Sequence, residues 1–165
     1  MELPIRVVFL CTGNSCRSII AESLANQLGG GKLVAFSAGS FPTGSVNPGA
    51  LAVLARHQVP AGNPRSKSWD ELADDNIHLA ITVCDAAAGE ACPVWMGSSL
   101  RAHWGVADPA HVEGDADTIA RAFERTFDEM KQRIEAMLTL PLESMQPTDL
   151  VAALADIQRR LETSE

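Results

Sequence analysis

The fold is decided by residues 5–18, which read IRVVFLCTGNSCRS. The first part, Ile5 to Leu10, is an apolar run with one arginine, the pattern of a central parallel strand that is buried on both faces. The second part, Cys11 to Ser18, has the form C-x5-R-S. A helix pattern over Ile19 to Leu28 follows. The segment therefore predicts a strand, a loop and a helix in direct succession.

This alternation continues along the chain. Further strand patterns run over Leu33–Ser37, Leu79–Cys84 and Leu100–Trp104. A second helix is predicted to begin at Asn47-Pro48, with the apolar face Leu51, Leu54 and Ala55. Two more helix patterns run over Asp117–Leu138 and Thr148–Glu162, and Thr148 is the predicted cap of the last one. The order predicts an α/β fold with a doubly wound, four-stranded parallel sheet flanked by helices. Ligands bind beyond the carboxyl ends of such strands, so we expect the site in the loops after Leu10, Val83 and Trp104.

Length and charge limit the functional class. The chain has 165 residues and a formal net charge of −8. This length suits one compact unit, in which we assign residues 1–140 to a catalytic domain and residues 141–165 to a C-terminal extension with one helix packed on the same domain. The acidic balance argues against a general nucleic-acid binder.

The start of the chain shows no signal-peptide pattern, and no apolar run approaches the roughly 20 residues that a membrane span needs. We therefore expect a cytoplasmic protein with no membrane partner. Thiols are kept reduced in the cytoplasm. The four cysteines are thus expected to be reactive, metal-binding or buried, and not a disulfide framework.

The C-x5-R-S loop, residues 11–18, has the composition of an oxyanion site. A tight loop before a helix turns successive N–H groups toward an anion, and Arg17 offers a planar fork of donors. Cys11 lies in this positive field, which favours its thiolate, and Ser18 could donate a hydrogen bond to the sulfur. The predicted substrate-binding residues are Thr12, Gly13, Asn14, Ser15, Cys16 and Arg17. The alternative is a buried strand-end cysteine and an exposed arginine.

The stretch Val8–Ser18, with Ser37-Ala38-Gly39 after it, resembles the low-molecular-weight protein tyrosine phosphatase superfamily and, within it, the arsenate reductases. The resemblance covers about residues 5–138, and the C-x5-R-S loop is specific for the superfamily. It implies a low-molecular-weight phosphatase-like fold to which the C-terminal helix is an addition.

Asp108-Pro109 follows the fourth predicted strand. A loop carboxylic acid suits a thiolate that attacks an oxyanion, because the departing oxygen needs a proton. The resemblance implies that Asp108 is the general acid. The alternative is a plain turn, since Asp-Pro pairs are common in loops.

Cys84 and Cys92 distinguish a reductase from a phosphatase. A phosphatase needs one cysteine and a water, whereas a reductase needs two electrons, which thiols supply. Seven residues separate the pair, and four of them are Ala86, Ala87, Ala88 and Gly89. The resemblance implies that Cys84 resolves the Cys11 adduct and that Cys92 resolves Cys84. The alternative is that Cys84 is a strand-end core residue and Cys92 an incidental loop thiol. Cys16 is interpreted as a packing residue or a minor redox bystander.

These observations predict an arsenate reductase that needs no bound cofactor but an external thiol reductant, either thioredoxin or glutathione with glutaredoxin. Tyrosine phosphatases of this fold usually place aromatic residues after the acid, but Asp108-Pro109 is followed here by Ala110 and His111, and the chain has no tyrosine. A phosphatase that uses Cys11, Arg17 and Asp108 is the first alternative. A non-enzymatic thiol sensor or oxyanion-binding module is the second.

No metal is predicted. Asn14, Glu22 and Ser37 match positions that help bind potassium in some members of the superfamily, but a fourth ligand is not evident. We therefore interpret Glu22 and Lys67 as solvated side chains. The four histidines, His57, His78, His103 and His111, show no metal-binding spacing and are interpreted as structural or exposed.

Overall fold

In the computed structural model, which describes residues 1–84 and 94–163, four parallel strands form one sheet. The strands are β1 (Ile5–Leu10), β2 (Leu33–Ala38), β3 (Leu79–Thr82) and β4 (Leu100–His103), in the spatial order β2-β1-β3-β4. The described helices are α1 (Arg17–Leu28), α2 (Pro48–Arg56), α3 (Ala116–Leu138) and α4 (Pro147–Thr163). The predicted doubly wound parallel sheet is confirmed.

The central strand β1 is buried on both faces, as its apolar run predicts. Ile5, Val7 and Phe9 pack into the larger core with the four helices, whereas Val8 and Leu10 pack into a smaller core on the opposite face. This alternation follows from the two-residue period of a strand. Because both faces of the sheet are covered, the polar loops lie at the ends of the strands.

Helix α2 begins as predicted. The Asn47 side chain accepts a hydrogen bond from the Gly49 N–H at 2.8 Å, and Pro48 occupies the first turn. The predicted apolar face was partly wrong, because Leu51 and Ala55 are exposed. The buried side chains are Ala50, Val53 and Leu54.

Helix α4 packs on β4 and α3. Its buried side chains are Leu150, Leu154 and Ile157. The prediction that Thr148 caps this helix is wrong, because the helix already begins at Pro147, a residue favoured in the first turn. The domain boundary at residue 140 stays a prediction. None of the helices described is both long and apolar enough to cross a membrane.

Candidate active site

The loops after β1, β3 and β4 meet at one cavity of about 420 Å³. Its lining includes the predicted residues Cys11, Thr12, Gly13, Ser15, Cys16, Arg17, Cys84 and Asp108. The remaining predicted residues of the loop, Asn14 and Ser18, are fully buried. The structure thus brings together the predicted site residues that it describes, and their roles stay predictions. Cys92 lies outside the described residues.

The backbone of the C-x5-R-S loop is held from one side. The carbonyls of Thr12, Gly13 and Ser15 accept hydrogen bonds from N–H groups of residues 41–47 at 2.8–3.0 Å. In a planar trans peptide the next N–H points opposite to the carbonyl. The N–H groups that follow these carbonyls therefore point away from residues 41–47, as an anion nest requires. Asn14 permits the turn with a φ of 45°.

A directed chain of hydrogen bonds ends on the Cys11 sulfur. The Lys67 backbone N–H donates to Asn14 Oδ1 at 2.8 Å, which fixes the amide orientation. Asn14 Nδ2 therefore donates to Ser18 Oγ, also at 2.8 Å. Because the Ser18 oxygen accepts this bond, its own hydrogen is available to the Cys11 sulfur, 2.9 Å away. A hydroxyl that donates to the sulfur favours the thiolate over the thiol.

Removing the Ser18 hydroxyl should slow the reaction of Cys11 with iodoacetamide. A hydrogen bond to a charged group contributes about 1.5–3 kcal/mol, so we expect the Ser18→Ala variant to react at least about ten-fold more slowly at mildly acidic pH. The matched control is Ser23→Ala, which truncates another buried serine of α1 away from the cavity. Equal rates in wild type and Ser18→Ala would contradict the proposed thiolate stabilisation.

Gly39 lets β2 approach the C-x5-R-S loop closely. A Cβ atom at this position would lie 2.6 Å from the carbonyl oxygen of Cys11 and closer still to that of Thr12. These are backbone atoms, so no side-chain rotation relieves the clash. The loop itself would have to move.

The Gly39→Ala variant should therefore lose activity and stability together. We expect a loss of about 1–3 kcal/mol in the free energy of unfolding and about 10²-fold in turnover. Chemical denaturation and steady-state kinetics measure the two effects. Gly31→Ala is the control, since a Cβ there meets nothing within 4 Å. A Gly39→Ala protein with wild-type turnover would show that the close approach is dispensable.

Arg17 and Asp108 lie side by side in the lining of the cavity. Arg17 Nη1 donates to the Val106 carbonyl at 3.0 Å, and Nη2 lies 3.4 Å from Asp108 Oδ2. The other carboxylate oxygen accepts from the Ala110 N–H at 2.9 Å and so caps the short turn Pro109–His111. The guanidinium is thus held at the cavity in a position where its remaining donors could meet an oxyanion.

His111 is a residue that the sequence interpretation missed. Its Nε2 lies 3.1 Å from Asp108 Oδ2, and the residue lines the cavity, although its side chain is largely exposed. The spacing of three residues from Asp108 within one turn is the signal that could have indicated this contact. His111 adds a second hydrogen-bonding group beside the predicted acid.

Cys16 differs from Cys11 although both lie in the same loop. It is 3% exposed, and burial raises the pKa of its thiol, with the negative charges of Asp108 and Cys11 adding to the effect. A buried thiol that stays protonated is a poor nucleophile. The interpretation of Cys16 as a packing residue is consistent with this environment.

Cys84 and Cys11 both lie at the carboxyl end of the parallel sheet, each just beyond a strand. Cys84 follows β3, is 4% exposed, and lines the cavity that Cys11 also lines. Its sulfur lies 3.9 Å from Thr12 Oγ1 of the C-x5-R-S loop. Cys11, Cys16 and Cys84 are all free thiols. Cys11 and Cys84, which form the first disulfide in the reductase hypothesis, therefore line the same cavity.

The interpretation of Glu22 and Lys67 as solvated side chains is wrong. The side chains are only 18% and 13% exposed, and Lys67 Nζ lies 4.0 Å from Glu22 Oε2. Burial raises the pKa of Glu22, although the Lys67 ammonium opposes the shift. The pair lies next to Asn14, because the Lys67 backbone N–H binds that side chain. A protein cation therefore already lies beside the acidic group at which potassium was considered.

Three comparisons show which known proteins the chain resembles. The low molecular weight phosphotyrosine protein phosphatase family matches residues 6–156. The arsenate reductase of Bacillus subtilis (strain 168) is 36% identical over 129 residues, which are 78% of this chain and 91% of that protein. A solved arsenate reductase in the phosphate binding state superposes with a TM-score of 0.67 at 27% identity, over 82% of this chain and 97% of that chain.

A further solved structure shares the fold at lower identity. The thioredoxin-dependent arsenate reductase of Corynebacterium glutamicum is similar with a TM-score of 0.61 and 19% identity. The alignment covers 98% of this chain and 63% of that one. At this identity the similarity shows the fold alone.

Proposed function

The chain belongs to the low molecular weight phosphotyrosine protein phosphatase family, and on that premise we propose that it reduces arsenate to arsenite. The observation that carries the proposal is the shared cavity of Cys11 and Cys84. A phosphatase needs only the first of these thiols. The similarity to curated arsenate reductases supports the same activity.

The first step forms a covalent adduct on Cys11. Its thiolate attacks arsenic, while Arg17 and the loop N–H groups hold the oxygens of the substrate. An As–O bond breaks, and Asp108 gives its proton to the departing hydroxide, which leaves as water. The position of Arg17 beside Asp108 supports this pairing of roles.

The second step transfers electrons. The Cys84 thiolate attacks the sulfur of Cys11, and a disulfide forms between them. The As–S bond breaks, and its electron pair stays on arsenic, which leaves as arsenite. Cys92 then attacks Cys84, so that the disulfide moves to Cys84–Cys92 and the Cys11 thiolate is restored.

An external thiol system closes the cycle by reducing the Cys84–Cys92 disulfide with two electrons. Thioredoxin and glutathione with glutaredoxin are the two candidate reductants. A reducing cytoplasm would supply either. The thioredoxin dependence of the structurally similar Corynebacterium glutamicum enzyme makes thioredoxin the first to test.

The proposal is tested by arsenate turnover with each reductant supplied separately. We expect at least one of the two systems to support arsenite formation. One arsenite should form for each disulfide that appears in the reductant. A protein that reduces no arsenate with either system, but hydrolyses a small phosphate ester, would be a phosphatase.

Phosphate-ester hydrolysis is the second candidate, because it uses the same Cys11, Arg17 and Asp108. Ala110 and His111, which line the cavity after the acid, provide neither a phenol nor an indole ring against which a phenyl group could pack. This lining favours a small inorganic anion over phosphotyrosine.

A further inference from the structure

The segment that carries Asp108, here called the acid segment (Gly105–Asp108), is held by side chains from three helices. The Gly105 carbonyl accepts from Gln158 of α4 at 3.0 Å, and the Val106 carbonyl accepts from Arg17 of α1 at 3.0 Å. Thr126 of α3 donates to the Ala107 carbonyl at 3.4 Å. These three side chains satisfy carbonyls for which an irregular segment has no sheet or helix partner. The helices therefore determine where the segment lies.

The orientation of the Gln158 amide is fixed. Arg133 is 1% exposed, carries only donors, and its Nε donates to Gln158 Oε1 at 2.8 Å. The amide nitrogen must therefore face the other way. It donates to the Gly105 carbonyl at 3.0 Å and to Glu162 Oε1 at 2.7 Å. Both of its hydrogens and its oxygen are used, so the side chain has one arrangement.

A second bond joins α4 to the same place. The indole N–H of the fully buried Trp104 donates to the Leu154 carbonyl at 3.0 Å. Trp104 directly precedes Gly105, so the first residue of the acid segment and the residue before it are both tied to α4. At its far end the same helix places Glu162 in a neighbouring cavity of about 470 Å³, which Arg17, Cys84 and Asp108 also line.

We propose that Gln158 of α4 is a positioning residue for Asp108. The inference rests on the proposed function for the role of Asp108. Gln158 touches no reacting atom. It acts by holding the Gly105 carbonyl, so that the carboxyl three residues later stays beside Arg17. The bond between Trp104 and Leu154 remains when this bond is lost.

Two variants test the proposal kinetically. Gln158→Met removes all three hydrogen bonds at similar length, whereas Gln158→Glu keeps an acceptor for Arg133 but replaces the donor with an oxygen that repels the Gly105 carbonyl and the Glu162 carboxylate. We expect kcat for arsenate to fall about ten- to a hundred-fold in both, with KM within about two-fold, because small misplacement of a catalytic group is costly. Alkylation of Cys11 by iodoacetamide should keep its wild-type rate, since the bonds of Gln158 run to Arg133, Gly105 and Glu162 and not to the C-x5-R-S loop.

The matched control is Leu150→Ala, which truncates a fully buried side chain at the start of α4. It should lower the unfolding temperature and leave kcat near the wild-type value when measured well below that temperature. If Leu150→Ala lowers kcat as much as the Gln158 variants, the effect is a loss of general packing, and the proposal is wrong.

Hydrogen exchange gives a test that needs no activity. The Val106 N–H donates to the Val83 carbonyl at 3.2 Å, and the Val83 N–H donates to the Leu10 carbonyl at 2.8 Å. Local release of the acid segment should speed exchange at Val106 about ten-fold or more, and leave Val83 unchanged. If Val106 exchanges no faster in Gln158→Glu than in Leu150→Ala, the proposal is overturned. If the wild type reduces no arsenate, the proposed function fails, and this exchange result alone decides the inference.

Discussion

Replacing Cys84 by serine should abolish arsenate turnover and leave the first half of the reaction intact. The thiolate that attacks the Cys11 sulfur is lost, and a serine hydroxyl forms no disulfide. We expect turnover to fall by at least about 10³-fold, the scale of losing a group that takes part in covalent bond formation. Arsenite release with each reductant measures the effect.

The control for Cys84→Ser lies within the same protein. Alkylation of Cys11 and hydrolysis of a small phosphate ester depend on Cys11, Arg17 and Asp108, so both should stay within about two-fold of wild type. Circular dichroism verifies that the buried serine is tolerated. Retained arsenate turnover in this variant would show that Cys84 is not the resolving thiol.

Replacing Cys11 by serine should abolish both reactions. Serine keeps the shape of the side chain, but its hydroxyl does not ionise near neutral pH, so no adduct forms on arsenic or phosphorus. A loss of about 10⁴-fold or more is expected in arsenate reduction and in ester hydrolysis. Steady-state assays of both reactions on the same sample measure it.

The Cys11→Ser variant should nevertheless bind the anion, because Arg17 and the loop N–H groups remain. Protection of the fold by inorganic phosphate, measured as a rise in the unfolding temperature, verifies this expectation. A Cys11→Ser protein that retained reductase activity would place the nucleophile elsewhere. The cysteine relay thus predicts that Cys11→Ser loses both activities and that Cys84→Ser loses only arsenate reduction.

Local patterns in the sequence were sufficient for the sheet and for the position of the site. The apolar run before Cys11 predicts a buried strand, and the C-x5-R-S loop predicts a turn into a helix. Parallel strands then bring Cys11, Cys84 and Asp108 to one edge without any further information. The burial of β1 on both faces follows from its composition alone.

Contacts between distant segments could not be predicted in this way. Lys67 meets Glu22 because Gly39 and Ser68 form an isolated parallel bridge that extends the edge of β2. The sequence around Lys67 is polar and resembles a solvated loop. Only the pairing of the two segments shows that the ammonium lies beside Glu22 and that the backbone N–H of Lys67 binds Asn14.

Gln158 shows the same limit at a finer level. The apolar stripe of α4 predicts which face of the helix is buried, and Leu150, Leu154 and Ile157 are indeed buried. A polar residue beside the stripe gives no indication of its partner. Its bonds to Arg133 and Gly105 depend on how α4 lies across β4 and α3.

The relay itself is tested most directly by mapping the disulfide that forms when the last thiol is missing. The Cys92→Ser variant, mixed with one equivalent of arsenate and no reductant, should release about one arsenite per protein and stop as a Cys11–Cys84 disulfide. Peptide mass mapping under non-reducing conditions identifies the bond. Arsenite release with Cys11 linked to Cys16, or with no disulfide at all, would contradict the account.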